Sequence, residues 1–509
     1  MKGAIAAGHP LTAEAGARTL AEGGNAVDAC LAAAFVSWVT ESPLTGPGGG
    51  GFLTVHDARD GRSRLLDFFV TVPGAGLPRG TVGEMETVDV DFDSTIQAFR
   101  IGAASVAVPG VLAGLEAAHR RYGTVPWAKL MEPAIELART GVELNRQQAY
   151  LHAILDIILR HTGEGREIYG PGGERLAAGD RLVMSDFAKT LELLAEGGAG
   201  AFYAGPLAQE ISGHVRAGSG TLTLDDLSSY RVIWRRPIGV DFAAHQVEAN
   251  PPPSSGGVLI AYGLRLLDRV GLGGPPGSAA AVARLVEVMR EQMHARGPGF
   301  TRELFRGGLA RRLVEDARVE PAAGRLLTGT THISVVDAQG NAASLTVSTG
   351  SGSGVVVPGT GVHLNNMLGE FDLIPAGARR NPGGRLTSMM APSVVLRDGR
   401  PRLVVGSAGS LRLRGAILQI IVNVIGHDMP VGDAIQAPRV HLDDGHVHCE
   451  GGHDASQLDE LERLGYELVR WRRRNLYFGG ASAVEVTPDG ALAAAGDPRR
   501  GGHGIVIDA

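Results

Sequence analysis

The segment that most constrains the fold of this chain is a pair of threonines, Thr330 and Thr331, followed by an alternating strand. Residues 333–336 alternate as a half-buried strand does, 337–341 form a turn sequence, and 342–347 alternate again. In an antiparallel hairpin centred near Gln339, the numbers of paired residues sum to about 678. The pairing predicts that Thr330 faces Ser348, so that two hydroxyls lie side by side. Threonine also has a high β propensity, which is the ordinary explanation of such a pattern.

The peptide bond between Gly329 and Thr330 is a candidate site of self-cleavage, because its rupture would create a nucleophile. Thr330 would then carry a hydroxyl and a free α-amine, and the amine could act as the base for the hydroxyl. An α-amine has a pKa of about 7.7–8.0, against about 10.4 for lysine, so much of it is unprotonated near neutral pH. This segment therefore indicates amide chemistry, provided that the bond is broken.

Composition and charge narrow the class of protein. Of the 509 residues 20% are charged, and the formal net charge of −6 gives no electrostatic basis for binding nucleic acid or an anionic membrane. Two cysteines are too few for a disulfide framework. Apolar runs stay shorter than the about 18 residues of a membrane span, and the first ten residues lack the apolar core of a signal peptide. We expect a cytoplasmic protein without nucleic-acid or membrane partners.

Helical patterns dominate the first two thirds of the chain, and short strands dominate the last third. Thr12 is predicted to cap a first helix, and a capping-box pair, Asn25 and Asp28, opens a second helix that is apolar on nearly all sides. Short strands separated by Gly, Pro and Asp begin after residue 328. The pattern predicts layered α and β structure in one body. Other clear segments are a strand at 52–56 and helices at 111–121, 127–140 and 280–296.

A second turn that could take part in catalysis lies at Gly406–Ser410. It follows the apolar strand 403–405 and precedes an apolar helix. Backbone N–H groups at the start of a helix can stabilise an anion or a developing oxyanion. Taken alone, the segment is better explained as a plain strand-to-helix turn.

A series of short blocks, each weak by itself, follows a characteristic order from about residue 8 to the C-terminus. The blocks are Glu22–Ala29, Gly48–Phe52, Val108–Gly110, Tyr122–Thr124, Pro251–Gly257, Thr330–Asp337, Leu364–Asn366, Ser388–Met389, Gly406–Gly409 and Asp497–Arg499. With these blocks the chain resembles the γ-glutamyltransferase (glutathione hydrolase) family of N-terminal-nucleophile hydrolases.

The resemblance implies an α+β fold, a four-layer αββα sandwich, made as a precursor and cleaved before Thr330. The pieces, residues 1–329 and 330–509, would remain intertwined as a heterodimer of fragments, with a further dimer of these left open. It also implies that Thr330 is the nucleophile and that Ser348 stands in the place of a helper threonine. The oxyanion donors would be the backbone N–H groups of Gly409 and Ser410. No cofactor and no metal are implied.

Several positions of the implied substrate pocket depart from the family pattern. Phe69 stands where the family has an arginine for the substrate α-carboxylate, and Met367 replaces a polar amide. Glu370 replaces an aspartate and keeps the charge for an α-ammonium, while Thr387 and Ser388 keep a hydroxyl pair. Loss of a buried, charge-assisted contact changes which substrate is preferred. The pattern predicts retained chemistry and altered specificity.

Other residues are candidates for secondary roles, each with an ordinary explanation. A replacement cation could come from one of several arginines, although a solvated surface charge is the ordinary interpretation of each. His446 and His448 alternate along a predicted strand, which favours a structural role over a metal site. The arginines concerned are Arg379, Arg380, Arg385 and Arg414, in addition to Arg412, which has a family counterpart.

Three functions remain open from the sequence. The first is a self-processing hydrolase or transferase of γ-glutamyl amides such as glutathione, with water, an amino acid or a peptide as acceptor. The second uses the same Thr330 chemistry on a non-glutamyl acyl amide, such as an oxamate-like or dicarboxylate amide. The third is an unprocessed pseudoenzyme that serves as a scaffold, against which the retained Thr330, Ser348 and Gly409 argue.

Overall fold

Two stacked β-sheets lie at the centre of the molecule. The computed structural model describes residues 2–91, 96–297, 299–316, 330–370, 373, 381–409 and 411–508. The strands, in chain order, are β1 (Gly3–Ala7), β2 (Gly50–Asp57), β3 (Arg62–Phe68), β4 (Glu86–Asp91), β5 (Ile96–Ile101), β6 (Val142–Glu143), β7 (Arg181–Leu182), β8 (Ile233–Arg235), β9 (Ile238–Phe242), β10 (His245–Ala249), β11 (Thr331–Asp337), β12 (Ala342–Ser348), β13 (Val356–Val357), β14 (Val362–His363), β15 (Ser393–Arg397), β16 (Arg400–Ala408), β17 (Val440–Asp443), β18 (His446–Cys449), β19 (Leu468–Arg470), β20 (Gly480–Val486), β21 (Leu492–Gly496) and β22 (His503–Ile507).

Some helices cover the outer faces of the two sheets, and others pack on those helices. They are α1 (Pro10–Ala21), α2 (Ala26–Thr40), α3 (Val111–Tyr122), α4 (Trp127–Thr140), α5 (Arg146–Ile154), α6 (Asp156–Leu159), α7 (Gly163–Tyr169), α8 (Ser185–Gly197), α9 (Gly200–Tyr203), α10 (Pro206–Ala217), α11 (Leu224–Ser229), α12 (Ser255–Val270), α13 (Ala279–Ala295), α14 (Phe300–Arg306), α15 (Leu309–Asp316), α16 (Leu411–Ile421), α17 (Val431–Gln436) and α18 (Ala455–Arg463).

The two sheets contain strands from both sides of Thr330. Among the residues that the structure describes, seven strands form one sheet in the order β22-β1-β11-β12-β2-β3-β8, and six form the other in the order β21-β20-β16-β15-β10-β9. Helices α1 and α2 pack on the first sheet, α12 and α16 pack on the second, and β11 contacts β16 and β20 across the interface. This arrangement is the predicted αββα sandwich.

The register of the β11–β12 hairpin confirms the predicted pairing. Thr331 pairs with Val347 and Val336 with Ala342, so the paired numbers sum to 678. The next pair outward places Thr330 opposite Ser348, which itself pairs with Gly50 of β2. The nucleophile candidate therefore lies at the open end of a central hairpin.

Of the predicted N-terminal caps of the first two helices, the first is wrong and the second is confirmed. Helix α1 is capped by His9, whose Nδ1 accepts a hydrogen bond from the N–H of Leu11 at 3.2 Å, and not by Thr12. Pro10 occupies the first turn, where its fixed φ favours helix initiation. Helix α2 has the predicted Asn25–Asp28 capping box and is buried along its whole length.

The helices predicted in the middle of the chain are present within about one residue of their expected ends. They correspond to α3, α4 and α13, which follow the apolar periodicity of the sequence. The predicted strand at 52–56 forms the centre of β2. Within the described parts of the chain, none of the helices has the length and apolar character needed to cross a bilayer.

Candidate active site

A small pocket brings together six of the nine predicted site residues. It opens beside Thr330 at the end of the β11–β12 hairpin and has a free volume of about 20 Å³. The remaining lining residues are apolar side chains from α16 and from segments outside the helices and strands. The predicted residues that line it are Phe69, Thr330, Ser348, Met367, Glu370 and Ser388, and the additional ones are Leu373, Met389, Met390 and Leu413.

Thr330 is held at its carbonyl and at the next side chain. It is 2% exposed, and its carbonyl oxygen accepts a hydrogen bond from Nη1 of Arg500 at 3.0 Å. The hydroxyl of the following residue, Thr331, donates to Oε2 of Glu41 at 2.5 Å. Two charged side chains from distant parts of the chain therefore fix the backbone at the nucleophile candidate.

Ser348 presents its hydroxyl from the neighbouring strand. Its Oγ accepts a hydrogen bond from the N–H of Gly350 at 2.8 Å. A hydroxyl that accepts one hydrogen bond keeps its own proton to donate. Ser348 is therefore well placed to donate to a hydroxyl or alkoxide on the opposite strand.

The predicted oxyanion turn lies between β16 and α16, as the sequence indicates. Gly409 has a φ of 122°, and a Cβ at this position would lie 3.1 Å from Cα of Gly479. Both observations favour glycine, because other residues rarely adopt this φ. Gly409 does not line the pocket. Ser410, the second predicted donor, lies outside the described residues.

The acyl side of the pocket is apolar. The ring of Phe69 stacks on the ring of Phe52 with centroids 5.4 Å apart and an interplanar angle of 18°. Both rings are buried, and Met367 is 1% exposed beside them. An aromatic stack and thioether side chains offer dispersion contacts and no hydrogen-bond donor for a carboxylate.

Arg385 does not replace the missing pocket cation. Its Nε lies 3.4 Å from Oδ1 of Asp67, and its Nη1 donates to the hydroxyl of Tyr230 at 2.6 Å and to the carbonyl oxygen of Phe69. The guanidinium thus binds behind the backbone of Phe69, and Arg385 is not among the residues that line the pocket.

The other candidate cations also lie away from the pocket or outside the described residues. The guanidinium of Arg412 lies 4.2 Å from the ring centroid of Tyr477. Arg414 is buried and does not line the pocket. Arg379 and Arg380 lie outside the described residues.

The predicted hydroxyl pair is divided between two environments. Ser388 lines the pocket, and its Oγ accepts from the N–H of Met390 at 3.1 Å. The hydroxyl of Thr387 instead donates to the carbonyl oxygen of Pro253 at 2.8 Å, and Thr387 does not line the pocket. One member of the pair can therefore contact a substrate directly.

Glu370 reaches the pocket because Gly350 has no side chain. A Cβ on Gly350 would lie 2.4 Å from Oε1 of Glu370 and 2.1 Å from Oδ1 of Asn366. Gly350 also has a φ of 74°, which favours glycine independently. This glycine brings a carboxylate close to the loop that follows Ser348.

The histidines of the C-terminal region have structural partners. His446 and His448 lie on β18, as predicted, and Nδ1 of His448 accepts from Nε1 of Trp471 at 3.2 Å. In the described portion of the chain, no three His, Cys, Asp or Glu side chains are grouped so that they could hold a metal ion.

Two residues at the site were missed by sequence reasoning, namely Glu41 and Arg500. Arg500 directly follows the recognised block Asp497–Arg499. That adjacency was the one available signal, because nothing in the local pattern around Glu41 marks it.

Comparison with known proteins agrees with the geometry. The family model described as gamma-glutamyltranspeptidase matches residues 12–507. The acylase ACY 1 proenzyme of Pseudomonas sp. (strain V22) is 33% identical over 99% of this chain and 94% of its own length. The glutathione hydrolase proenzyme of Escherichia coli (strain K12) is 31% identical over 98% of this chain and 90% of its own length.

A solved structure has the same fold over nearly the whole length. The cephalosporin acylase from Bacillus halodurans superposes with a TM-score of 0.84 at 23% identity, covering 100% of this chain and 96% of that one. With the family match over residues 12–507, the chain belongs to the γ-glutamyltranspeptidase family of N-terminal-nucleophile hydrolases and is an amide-bond hydrolase or acyltransferase.

Proposed function

We propose that Thr330, freed by cleavage of the bond before it, is the nucleophile of this enzyme. Its Oγ attacks the carbonyl carbon of an acyl amide, and its α-amine accepts the hydroxyl proton. The proton then passes to the leaving amine, and an acyl ester remains on Thr330. Water, or an acceptor amine, attacks the ester and restores the hydroxyl.

The same atoms account for self-processing into residues 1–329 and 330–509. Thr330 Oγ attacks the carbonyl of Gly329, the acyl group moves from nitrogen to oxygen, and water hydrolyses the ester. We assign to Ser348 a hydrogen bond that steadies the Thr330 oxygen. The N–H groups of Gly409 and Ser410 are assigned to the oxyanion of each tetrahedral intermediate.

The preferred acyl group is one without a carboxylate next to Phe69. The observation that carries this proposal is the ring of Phe69 in the pocket wall, which stacks on Phe52, with Arg385 bound to Asp67 outside the pocket. A carboxylate buried against the Phe69 ring without a cation would lose several kcal/mol of solvation. An acyl chain with an apolar body avoids that cost and contacts Met367 and the Phe69 ring instead.

A γ-glutamyl amide is the second candidate. Glu370 and Ser388 line the pocket and are the residues that would contact the α-ammonium and α-carboxylate of such a substrate. A matched series of p-nitroanilides separates the candidates, because its members lack the ammonium, the carboxylate or both. The series is γ-glutamyl, glutaryl (no ammonium), 4-aminobutyryl (no carboxylate) and butyryl (neither).

The first prediction concerns processing. On a denaturing gel, the wild-type protein is expected to give pieces of 329 and 180 residues, the latter being 509 minus 329. Thr330→Ala removes the attacking hydroxyl and is expected to give one band. Thr330→Ser keeps a hydroxyl and is the matched control that should still cleave. A wild-type chain that remains whole under all conditions would contradict the proposed nucleophile.

The second prediction concerns specificity. For the processed wild type, kcat/KM for the butyryl and 4-aminobutyryl compounds is expected to exceed that for γ-glutamyl and glutaryl by about tenfold or more, since an unpaired buried carboxylate is costly. Phe69→Arg should raise turnover of the γ-glutamyl and glutaryl compounds, whereas Phe69→Leu, the control, should not. If the wild type favours the γ-glutamyl compound, the apolar assignment is wrong and the second candidate holds.

A further inference from the structure

Two charged side chains of opposite sign, the buried Glu41 and the half-buried Arg500, contact the Thr330–Thr331 segment. Neither lines the pocket beside Thr330, called here the acyl pocket. Arg500 binds the Thr330 carbonyl oxygen through Nη1 at 3.0 Å, and Glu41 accepts the hydroxyl of Thr331 at 2.5 Å. Both line a second small cavity, which shares no lining residue with the acyl pocket. The dipeptide at the nucleophile is thus held between the two side chains.

Two glycines make room for these side chains. A Cβ on Gly480 would lie 2.3 Å from Cδ and 2.8 Å from Nε of Arg500. A Cβ on Gly8 would lie 2.2 Å from Oε2 of Glu41. These distances are too short for a contact, so a side chain at either glycine would require Arg500 or Glu41 to move from its observed position.

We propose that Arg500 and Glu41 are a positioning pair that orients the Thr330 backbone and sets how readily its α-amine gives up a proton. The proposal rests on the proposed function, because the α-amine exists only after cleavage before Thr330. Arg500 acts through its charge and its hydrogen bond, and Glu41 acts as its counter-charge and as the anchor of Thr331.

The electrostatic argument follows from distance and burial. The carbonyl oxygen and nitrogen of one residue are separated by less than about 4 Å, so Nη1 of Arg500 lies within about 7 Å of the Thr330 nitrogen. A positive charge at this range in a buried setting disfavours an ammonium and favours the free amine. The negative charge of Glu41, which lies beyond the Thr331 hydroxyl, favours the ammonium form of the α-amine instead.

Desolvation shifts the pKa of both groups, and the charge of each group opposes the shift of the other. Burial raises the pKa of the Glu41 carboxyl to about 7, against the lowering effect of the Thr331 and Thr12 hydroxyls and of Arg500. Burial also lowers the pKa of Arg500 to about 10, an effect that Asp497 and Glu41 oppose. Arg500 therefore remains charged throughout the range in which an α-amine titrates, whereas Glu41 becomes charged within it.

Other titratable groups face Thr330 from the elements around it. Glu370 lines the acyl pocket on the far side, and Arg412 of α16 acts on Arg500 from the helix that follows the oxyanion turn. Arg439 and Asp497 act on Arg500 with opposite signs. His332, two residues along β11, is buried, and burial lowers its pKa to about 3, so it stays neutral.

The test uses processed full-length protein and the p-nitroanilide with the highest kcat/KM in the matched series. The acid limb of kcat/KM against pH reports the base of the free enzyme. In Arg500→Gln the limb should move to higher pH by about one unit, because a nearby positive charge is removed. In Glu41→Gln the limb should move to lower pH by about half a unit, because a nearby negative charge is removed. In Arg500→Lys, which keeps the positive charge, the limb should stay near the wild-type position.

The outcomes distinguish a failure of the positioning pair from a failure of the proposed function. A merely structural role would lower kcat/KM equally at every pH, and an unmoved limb in an active, processed Arg500→Gln enzyme overturns the inference alone. If Arg500→Gln does not fold or cleave, Glu41→Gln decides: a downward shift supports the pair, and an unchanged limb overturns it. A wild type that never cleaves overturns the proposed function and this inference together.

Discussion

At the scale of single residues, the buried imidazole of His332 favours glycine at position 406. Nδ1 of His332 lies 2.8 Å from the Thr346 hydroxyl, and its Nε2 lies 2.9 Å from the Ser334 hydroxyl. Ser334 in turn donates to the carbonyl of Ser482 in the opposite sheet. The ring occupies the place where a side chain on Gly406 would project, since a Cβ there would lie 2.3 Å from it.

Gly406→Ala is therefore expected to destabilise the protein by about 1–3 kcal/mol through overpacking between the sheets. Gly213→Ala in α10 is the matched control, because nothing lies within 4 Å of its added methyl. In a helix, that change should leave stability equal or raise it by up to about 1 kcal/mol. Thermal and urea midpoints measure both, and equal midpoints for the two variants would contradict the packing argument.

Single residues also show how far sequence reasoning reaches at the site. The pairing of Thr330 with Ser348 could be predicted, because a tight turn fixes the register of a hairpin. The contacts of Arg500 and Glu41 with the Thr330–Thr331 segment could not be predicted, since only folding brings two such distant positions to one backbone. The family pattern predicts Thr387 and Ser388 as a hydroxyl pair, but adjacent residues in an extended segment point to opposite sides.

At the scale of elements, one carboxylate joins two parts of the helical layer. Asp28 caps the N-terminus of α2 and also accepts from the Thr124 N–H at 3.0 Å and the Thr124 hydroxyl at 2.6 Å. Thr124 lies in the connection between α3 and α4. Asp28 is fully buried, so these bonds hold a carboxylate away from water.

Asp28→Ala is expected to lower the stability by about 3 kcal/mol, as a cap contributes about 1 kcal/mol and unsatisfied buried donors cost more. Asp454, which caps the exposed α18, provides the control, and Asp454→Ala should cause a clearly smaller loss. The denaturation midpoints of the two variants are the measurement. An equal loss at both caps would indicate that the link to Thr124 contributes nothing.

Elements with strong local signals were predictable and those without them were not. Helix α2 carries its own cap and apolar composition, and α4 follows a clear helical period. Strand β1 is five buried residues whose partners, β11 and β22, lie near the middle and the end of the chain. Such a strand depends on tertiary pairing, which local propensity does not encode.

At the scale of the whole molecule, several buried histidines link stability to pH. Burial lowers the pKa of His9, His152 and His363 to about 4 and that of His332 to about 3. Their neutral forms therefore contribute stability that is fully present above pH 6.5, the ordinary value, and is lost as pH falls through about 4. Glu41 has the opposite effect on stability. Its raised pKa contributes stability that is fully present below pH 4.5 and is lost as the pH rises through about 7.

The melting temperature is expected to fall steadily between pH 6.5 and 4.5, with each buried histidine adding a slope of about 1.4 kcal/mol per pH unit. His152→Gln should flatten this dependence, whereas His503→Gln, at an exposed position, should leave it unchanged. A melting temperature independent of pH over this interval would show that the imidazoles are accessible to protons in the folded state.

The alternation of strands in the two sheets has a consequence for the lifetime of the molecule. Strands from before and after Thr330 meet at four junctions: β22 with β1, β1 with β11, β12 with β2, and β15 with β10. While the chain is one polymer, these junctions form as loop closures. After the proposed cut, the same junctions require two separate polymers to meet by diffusion. Folding would then be available only once, and heat damage to the mature enzyme would accumulate with time instead of reversing.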